Sequence, residues 1–183
     1  SINTDKVSVI RNGIDPNWLK NPSSEDSAID KPFILSVGHL EVRKNFEVLL
    51  RALPRVLSSW DGKLVLVGND QGSLGSILRI AEEINIQDRM VLKSGIAGDE
   101  LAILYRSCEA VVCPSRYEGF GITLLEGMAA GRPVVASRIP PHVEVAGDAA
   151  LYASPDRPDE FSSEILNVLT DGALRKTMIE KGS

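Results

Sequence analysis

Cysteine is nearly absent from this sequence, with Cys108 and Cys113 its only two examples. They stand five apart beside an apolar strand, a spacing that fits neither metal ligation nor a disulfide framework, so both are expected to be buried thiols. Long hydrophobic runs are missing too. None approaches the roughly 18 residues that a membrane span requires, and Ser1–Val7 lacks the basic and apolar regions of a signal peptide, which favours a cytoplasmic setting. There is no excess of basic charge: 20 Lys and Arg stand against 25 Asp and Glu, for a net charge of −5. That balance argues against a general nucleic-acid binder, and any anion bound must be held by a local site. No Asp-x-Asp motif occurs, so the sequence makes no case for a divalent-metal clamp, and neither metal nor cofactor is expected.

What remains fits one domain with one core. Short apolar runs alternate with amphipathic segments. Val7–Ile10, Phe33–Val37, Leu64–Val67, Met90–Leu92, Ala110–Val112, Val134–Ala136 and Ala150–Ala153 read as strands. Helices are expected at Asn45–Leu57, Leu74–Ile84, Asp99–Ser107, Ile122–Ala130, Asp159–Leu169 and Ala173–Lys181, with Pro54 kinking the first. Most of the strand runs are continuous rather than alternating, as in a parallel sheet covered on both faces. The expected fold is therefore a Rossmann-like, doubly wound, mostly parallel α/β sheet. Residues 15–32, rich in Pro and Ser, read as a loop or linker. Ser183 directly follows a helix pattern, which reads as a truncated end.

In such sheets ligands sit beyond the carboxyl ends of the strands, which points to the loops after Val37, Val67, Leu92, Val112 and Ala136. The first of these runs Gly38-His39-Leu40-Glu41-Val42-Arg43-Lys44-Asn45, a glycine turn with two cations at a helix start. Backbone amides, the helix dipole and those cations suit a diphosphate, although an ordinary βα turn with solvated basic residues fits the same pattern. The segment Glu118-Gly119-Phe120-Gly121-Ile122-Thr123-Leu124-Leu125-Glu126 says more. Two carboxylates flank a helix N-terminus whose amides at Gly121, Ile122 and Thr123 suit phosphate oxygens, while the carboxylates suit the vicinal hydroxyls of a sugar. Acids near a helix start also serve the dipole, but that does not explain Glu126, which lies among Leu124, Leu125 and Met128 and needs a partner. A ligand hydroxyl pair is one candidate. His142, in Ile139-Pro140-Pro141-His142, reads as a loop residue with a surface or local structural role.

These motifs resemble the C-terminal domain of the retaining glycosyltransferases of family four, which have the two-domain GT-B fold. Glu-Gly-Phe-Gly before an apolar helix, with Glu118 and Glu126 separated by seven residues, carries the likeness. Val9–Asp15, Leu35–Gly38, Lys44-Asn45, Leu66–Gly68, Gly95, Ala129–Ala136 and Glu144–Asp148 extend it in order through nearly the whole chain. The resemblance implies retaining transfer of a sugar, with GDP-mannose the favoured donor. It gives Glu118 the catalytic position against the donor sugar, Glu126 the ribose hydroxyls, and Phe120–Thr123 the sugar and diphosphate. Gly38, His39, Arg43 and Lys44 would hold the diphosphate; His39 stands where relatives commonly have Arg, and Arg43 is available to compensate. The partners implied are the donor and the N-terminal acceptor-binding domain of the same parent chain; that domain and a C-terminal crossover helix are expected to lie outside these residues. A GT-B epimerase or phosphorylase, or a non-catalytic nucleotide-sugar-binding regulatory domain, are the alternatives.

Overall fold

The structure, a computed structural model, describes residues 12–15, 29–30, 32–96 and 98–183. The strand expected at Val7–Ile10 and most of the 15–32 stretch lie outside them; Asp15, Ile29, Asp30 and Pro32 are in no helix or strand.

Six strands form one parallel sheet: β1 (Phe33–Val37), β2 (Lys63–Val67), β3 (Met90–Lys93), β4 (Ala110–Cys113), β5 (Val134–Ser137) and β6 (Ala150–Ala153). Their spatial order is β3-β2-β1-β4-β5-β6, so the chain winds one way from β1 and then back the other way from β4, as in Rossmann folds. The helices are α1 (Phe46–Leu57), α2 (Leu74–Glu83), α3 (Gly98–Ser107), α4 (Ile122–Ala129), α5 (Pro140–Ala146), α6 (Pro158–Thr170) and α7 (Gly172–Gly182).

The continuous apolar strands are explained by cores on both sheet faces. Ile34, Leu64, Leu66, Ala110 and Val112 pack with Leu49, Leu53, Ile77, Phe161 and Ile165 of α1, α2 and α6. Their neighbours in sequence, Phe33, Leu35, Val65, Val67 and Val111, pack on the opposite face with Ala102, Tyr105, Leu124 and Met128 of α3 and α4. Alternate residues face opposite ways along a strand, so both sets must be apolar. Cys108 and Cys113 sit buried and unpaired in the second core, where burial pushes each thiol up to about 12.

Proline bears on two expectations. The helix expected at Asn45–Leu57 is observed as α1, which runs through Pro54 to Leu57 with Pro54 in its last turn on an exposed position. The segment expected as a loop at His142 is α5, with Pro140 and Pro141 in its first turn, where a missing amide N–H removes no intrahelical bond.

Candidate functional site

The sheet reverses its winding between β1 and β4. The ladder there pairs Ile34 with Ala110 and Leu35 with Val111; beyond it the buried Ser36 hydroxyl donates to the Val112 carbonyl at 2.6 Å. A crevice at the carboxyl ends of these strands is the ligand position that this topology creates. The turns after β1 and β2 come very close here. A Cβ on Gly68 would lie 1.9 Å from the Gly38 carbonyl oxygen, so only glycine allows the approach.

A cleft of about 380 Å³ opens at this point. Gly38, His39, Arg43, Lys44, Ile122, Thr123 and Glu126 line it, together with Val67, Gly68, Asn69, Gly95, Ile96 and Leu101. The last group comes from the end of β2, the loops after β2 and β3, and α3; sequence position flags the loops, with Val67, Gly68 and Gly95 noted and Asn69, Ile96 and Leu101 missed. Glu118, Phe120 and Gly121 do not line this cleft. Glu118 forms part of a neighbouring cavity of about 420 Å³ with Arg116, Tyr117, Gly119, Ile139, Pro140 and Pro141. Phe120 faces a third, smaller cavity with Leu125, Glu144 and Val145.

The cations are fixed by the turn that carries them. Val42–Lys44 form a short 3-10 turn, and Asn45 closes it with a left-handed φ of 57°. The Asn45 side chain is buried and its amide donates to the carbonyls of Pro114 and Pro155, at 3.0 and 2.7 Å. One residue thereby ties the turn after β1 to the loops after β4 and β6. These contacts span 69 and 110 residues of sequence, so no local pattern announces them.

Glu118 is 8 % exposed and fully engaged. Its Oε1 accepts from Lys44 Nζ at 2.6 Å and from Ser115 Oγ at 2.7 Å, and its Oε2 accepts from Arg43 Nη1 at 2.8 Å. Burial alone pushes this carboxyl up, but the hydrogen bonds from Lys44 and Ser115 and the charge of Lys44 outweigh it and hold Glu118 below the usual carboxylate range. Arg43 also pairs with Glu41 at 2.8 Å.

Glu126 lies eight residues further on, in the second turn of α4, and its surroundings are different. The hydroxyl of the buried Tyr105 donates to its Oε2 at 2.7 Å. Burial pushes Glu126 above the usual range, with the Tyr105 hydrogen bond and the Lys44 charge only partly opposing it. The partner that Glu126 needs is thus provided in part by the protein, from a residue that sequence reading left within the helical pattern of α3. A buried tyrosine in an apolar segment was the available signal, because its hydroxyl must find an acceptor.

Between the two acids, Gly121 caps α4 with φ of 101° and no side chain, leaving the first-turn amides uncapped by any side chain. His142 packs beside it; a Cβ on Gly121 would come within 3.1 Å of the imidazole Cδ2. His142 is completely buried rather than at the surface, because α5 folds its first turn inward. Its Nδ1 donates to the Ser137 carbonyl at 3.0 Å, and Nε2 is buried without a partner among the described residues. Burial lowers the His142 pKa, which keeps the ring neutral. Among the described residues no group of three or more His, Cys, Asp or Glu is placed to hold a metal ion, and no helix is long and apolar enough to cross a membrane.

The arrangement can hold a polyanion at the uncapped end of α4 beside Lys44 and Arg43, with a carboxylate deeper in the same cleft for hydroxyl groups. Known proteins share the fold that builds it. The chain is 35 % identical over 153 residues to the O-antigen chain mannosyltransferase B of Escherichia coli, covering 82 % of this chain and 40 % of that protein. Its fold matches the C-terminal domain of LpcC, a group 1 family glycosyl transferase from Francisella tularensis, with TM-score 0.80, 21 % identity, and coverage of 93 % and 94 % of the two chains. It also matches Anabaena HepE, solved in complex with UDP-glucose, with TM-score 0.85, 20 % identity, and coverage of 98 % of this chain and 52 % of that one. The chain spans less than half the length of the curated relatives it matches. Residues 20–183 match the family described as glycosyl transferases group 1, and the chain belongs to that family.

Proposed function

We propose that this chain is the donor half of a retaining glycosyltransferase that takes its sugar from a nucleoside diphosphate, with GDP-mannose the favoured donor. The observation that carries the reading is convergence: two cations from the turn after β1, the uncapped end of α4 and the Glu126 carboxylate meet in one cleft where the sheet reverses. The mannosyltransferase relative supports the sugar, and the UDP-glucose held by HepE supports a nucleoside-diphosphate donor. The length of the relatives supports an N-terminal acceptor domain in the parent chain.

In this reading the diphosphate lies against Gly38, His39, Lys44, Arg43 and the amides of Gly121–Thr123, and Glu126 holds the ribose hydroxyls. Glu118 and Phe120 belong to the sugar end. As the bond from C1 to the diphosphate oxygen breaks, negative charge grows on the leaving group, and Lys44, Arg43 and the α4 amides stabilise it without a metal or cofactor. The acceptor hydroxyl oxygen bonds to C1 and its proton passes to the departing diphosphate. A carboxylate already held by Lys44, Arg43 and Ser115 is a weak nucleophile, so the contacts of Glu118 favour this front-side route over a covalent intermediate.

Calorimetric titration with GDP, UDP and ADP, each with and without its sugar, tests the reading. GDP and GDP-mannose are expected to bind most tightly, and the chain alone is expected to transfer no sugar because the acceptor must be positioned by the other domain. Absence of binding by all three nucleotides would overturn the donor assignment, and UDP bound more tightly than GDP would replace the base.

A further inference from the structure

We propose that Tyr105 is the positioning residue for Glu126: its buried hydroxyl engages Oε2 of the carboxylate and so turns Oε1 to the cleft as an acceptor for ligand hydroxyls. This rests on the donor-site reading above and deepens it.

Four observations combine. Tyr105 is completely buried in the core beneath α4, so its ring has one fixed place. The Tyr105 hydroxyl lies 2.7 Å from Oε2, a short contact to a charged acceptor. Glu126 itself lines the cleft, so one end of the carboxylate is held by the core while the side chain reaches the ligand position. Finally, Glu126 projects from a helix turn among Leu124, Leu125 and Met128, where a carboxylate without a donor would be costly to ionise.

A carboxylate with both oxygens free rotates about its terminal bond, and it presents hydroxyl acceptors in no preferred direction. Anchoring one oxygen removes that freedom before the ligand arrives. Such preorganisation raises affinity without adding a ligand contact. The titratable groups around Glu126 are Tyr105 on α3, His39, Arg43 and Lys44 on the turn after β1, and Cys113 at the end of β4. Of these, Tyr105 is the one that donates directly to Glu126.

Carbon-13 NMR of the glutamate carboxyls in the ligand-free chain tests the contact, with Glu126→Gln identifying the Glu126 signal. Glu126 is expected to titrate at higher pH in Tyr105→Phe than in the unaltered chain, because the donor that favours its ionised form is gone. An unchanged titration overturns the proposal. The same contact is readable without any variant at Tyr105, since the ring carbon bearing its hydroxyl should shift as Glu126 titrates; no response also overturns it. Because nucleotide is absent, these readings stand whether or not the donor assignment holds. With GDP and UDP as probes, Tyr105→Phe is expected to lose roughly ten-fold in affinity, and Tyr105→Phe/Glu126→Gln to bind no worse than Glu126→Gln alone. Fully additive losses would show Tyr105 acting independently of Glu126 and would overturn the proposal.

Discussion

Glu118 and Glu126 flank one helix end with seven residues between them, yet the protein treats them in opposite ways. Glu118 is surrounded by cations and a hydroxyl, and is held below the ordinary carboxylate range. Glu126 has a neutral phenol as its direct donor, and burial pushes it above that range. The difference follows from where α4 begins. Glu118 precedes the helix and folds back onto Arg43 and Lys44 of the turn after β1, whereas Glu126 is carried one helical step deeper, over Tyr105 of α3. Paired acids with divergent environments commonly have divergent roles. In the proposed donor site, one acid balances the cations that a diphosphate would claim, and the other is offered to neutral hydroxyls.

The comparison breaks most visibly on binding of a sugar-free nucleoside diphosphate. Glu126→Ala is expected to weaken GDP binding by roughly ten- to hundred-fold, the value of a lost hydrogen bond to a charged group. Glu118→Ala should leave GDP affinity equal or improved, because Lys44 and Arg43 are released from their internal acceptor. Calorimetry on both variants decides it. Equal losses from the two would mean that Glu118 contacts the nucleotide itself and that the two carboxylates share a role.

A second test acts on the hinge between the acids. Gly121→Ala forces a residue with a Cβ into φ of 101° and brings that Cβ to 3.1 Å from His142. The left-handed conformation alone costs about 1–2 kcal/mol, and the fully buried imidazole has little room to move. Denaturant titration should show a loss of at least that size. A fully stable variant would mean that the start of α4 can be rebuilt without disturbing either carboxylate.

How far this site could be read in advance depended on the range of the interactions. The strands, the doubly wound order of elements and the two acids flanking a helix start are local patterns, and apolar runs such as Phe33–Val37 and Ala150–Ala153 coincide with observed strands. Contacts between distant segments left no such mark. Asn45 reaching Pro114 and Pro155, and Tyr105 reaching Glu126, are visible only after the sheet brings α3, α4 and the turn after β1 together. Proline misled at one helix start. Pro140-Pro141 look like breakers, but a first-turn position tolerates them. His142 was misplaced for the same reason, since a histidine on a missed helix looks like a surface loop residue.

The smallest expected effect is on stability and sharpens the comparison through its sign. Glu118 has a folded-state pKa below its unfolded value, so its contribution to stability is present above the unfolded value and is lost as pH falls through the folded one. Glu118→Gln should therefore destabilise the chain at pH 7, by about 1–2 kcal/mol for a partly exposed charged hydrogen-bond cluster. That penalty should shrink toward acid, where the native carboxyl is neutral as well. Glu126 runs the other way. Its folded pKa is raised, so the native state binds a proton more tightly than the unfolded chain, and stability declines as pH rises from the unfolded value through the folded one. Glu126→Gln removes the charge whose burial causes that decline, while the amide oxygen still accepts from Tyr105. It should be neutral near pH 3.5 and stabilising by up to about 1 kcal/mol at pH 7. Urea midpoints for both variants across pH 3.5–7 read the two signs side by side. If Glu126→Gln destabilised the fold at pH 7, its carboxylate would be better satisfied than Tyr105 and Lys44 alone account for, and the contrast with Glu118 would reduce to position along α4 rather than electrostatics.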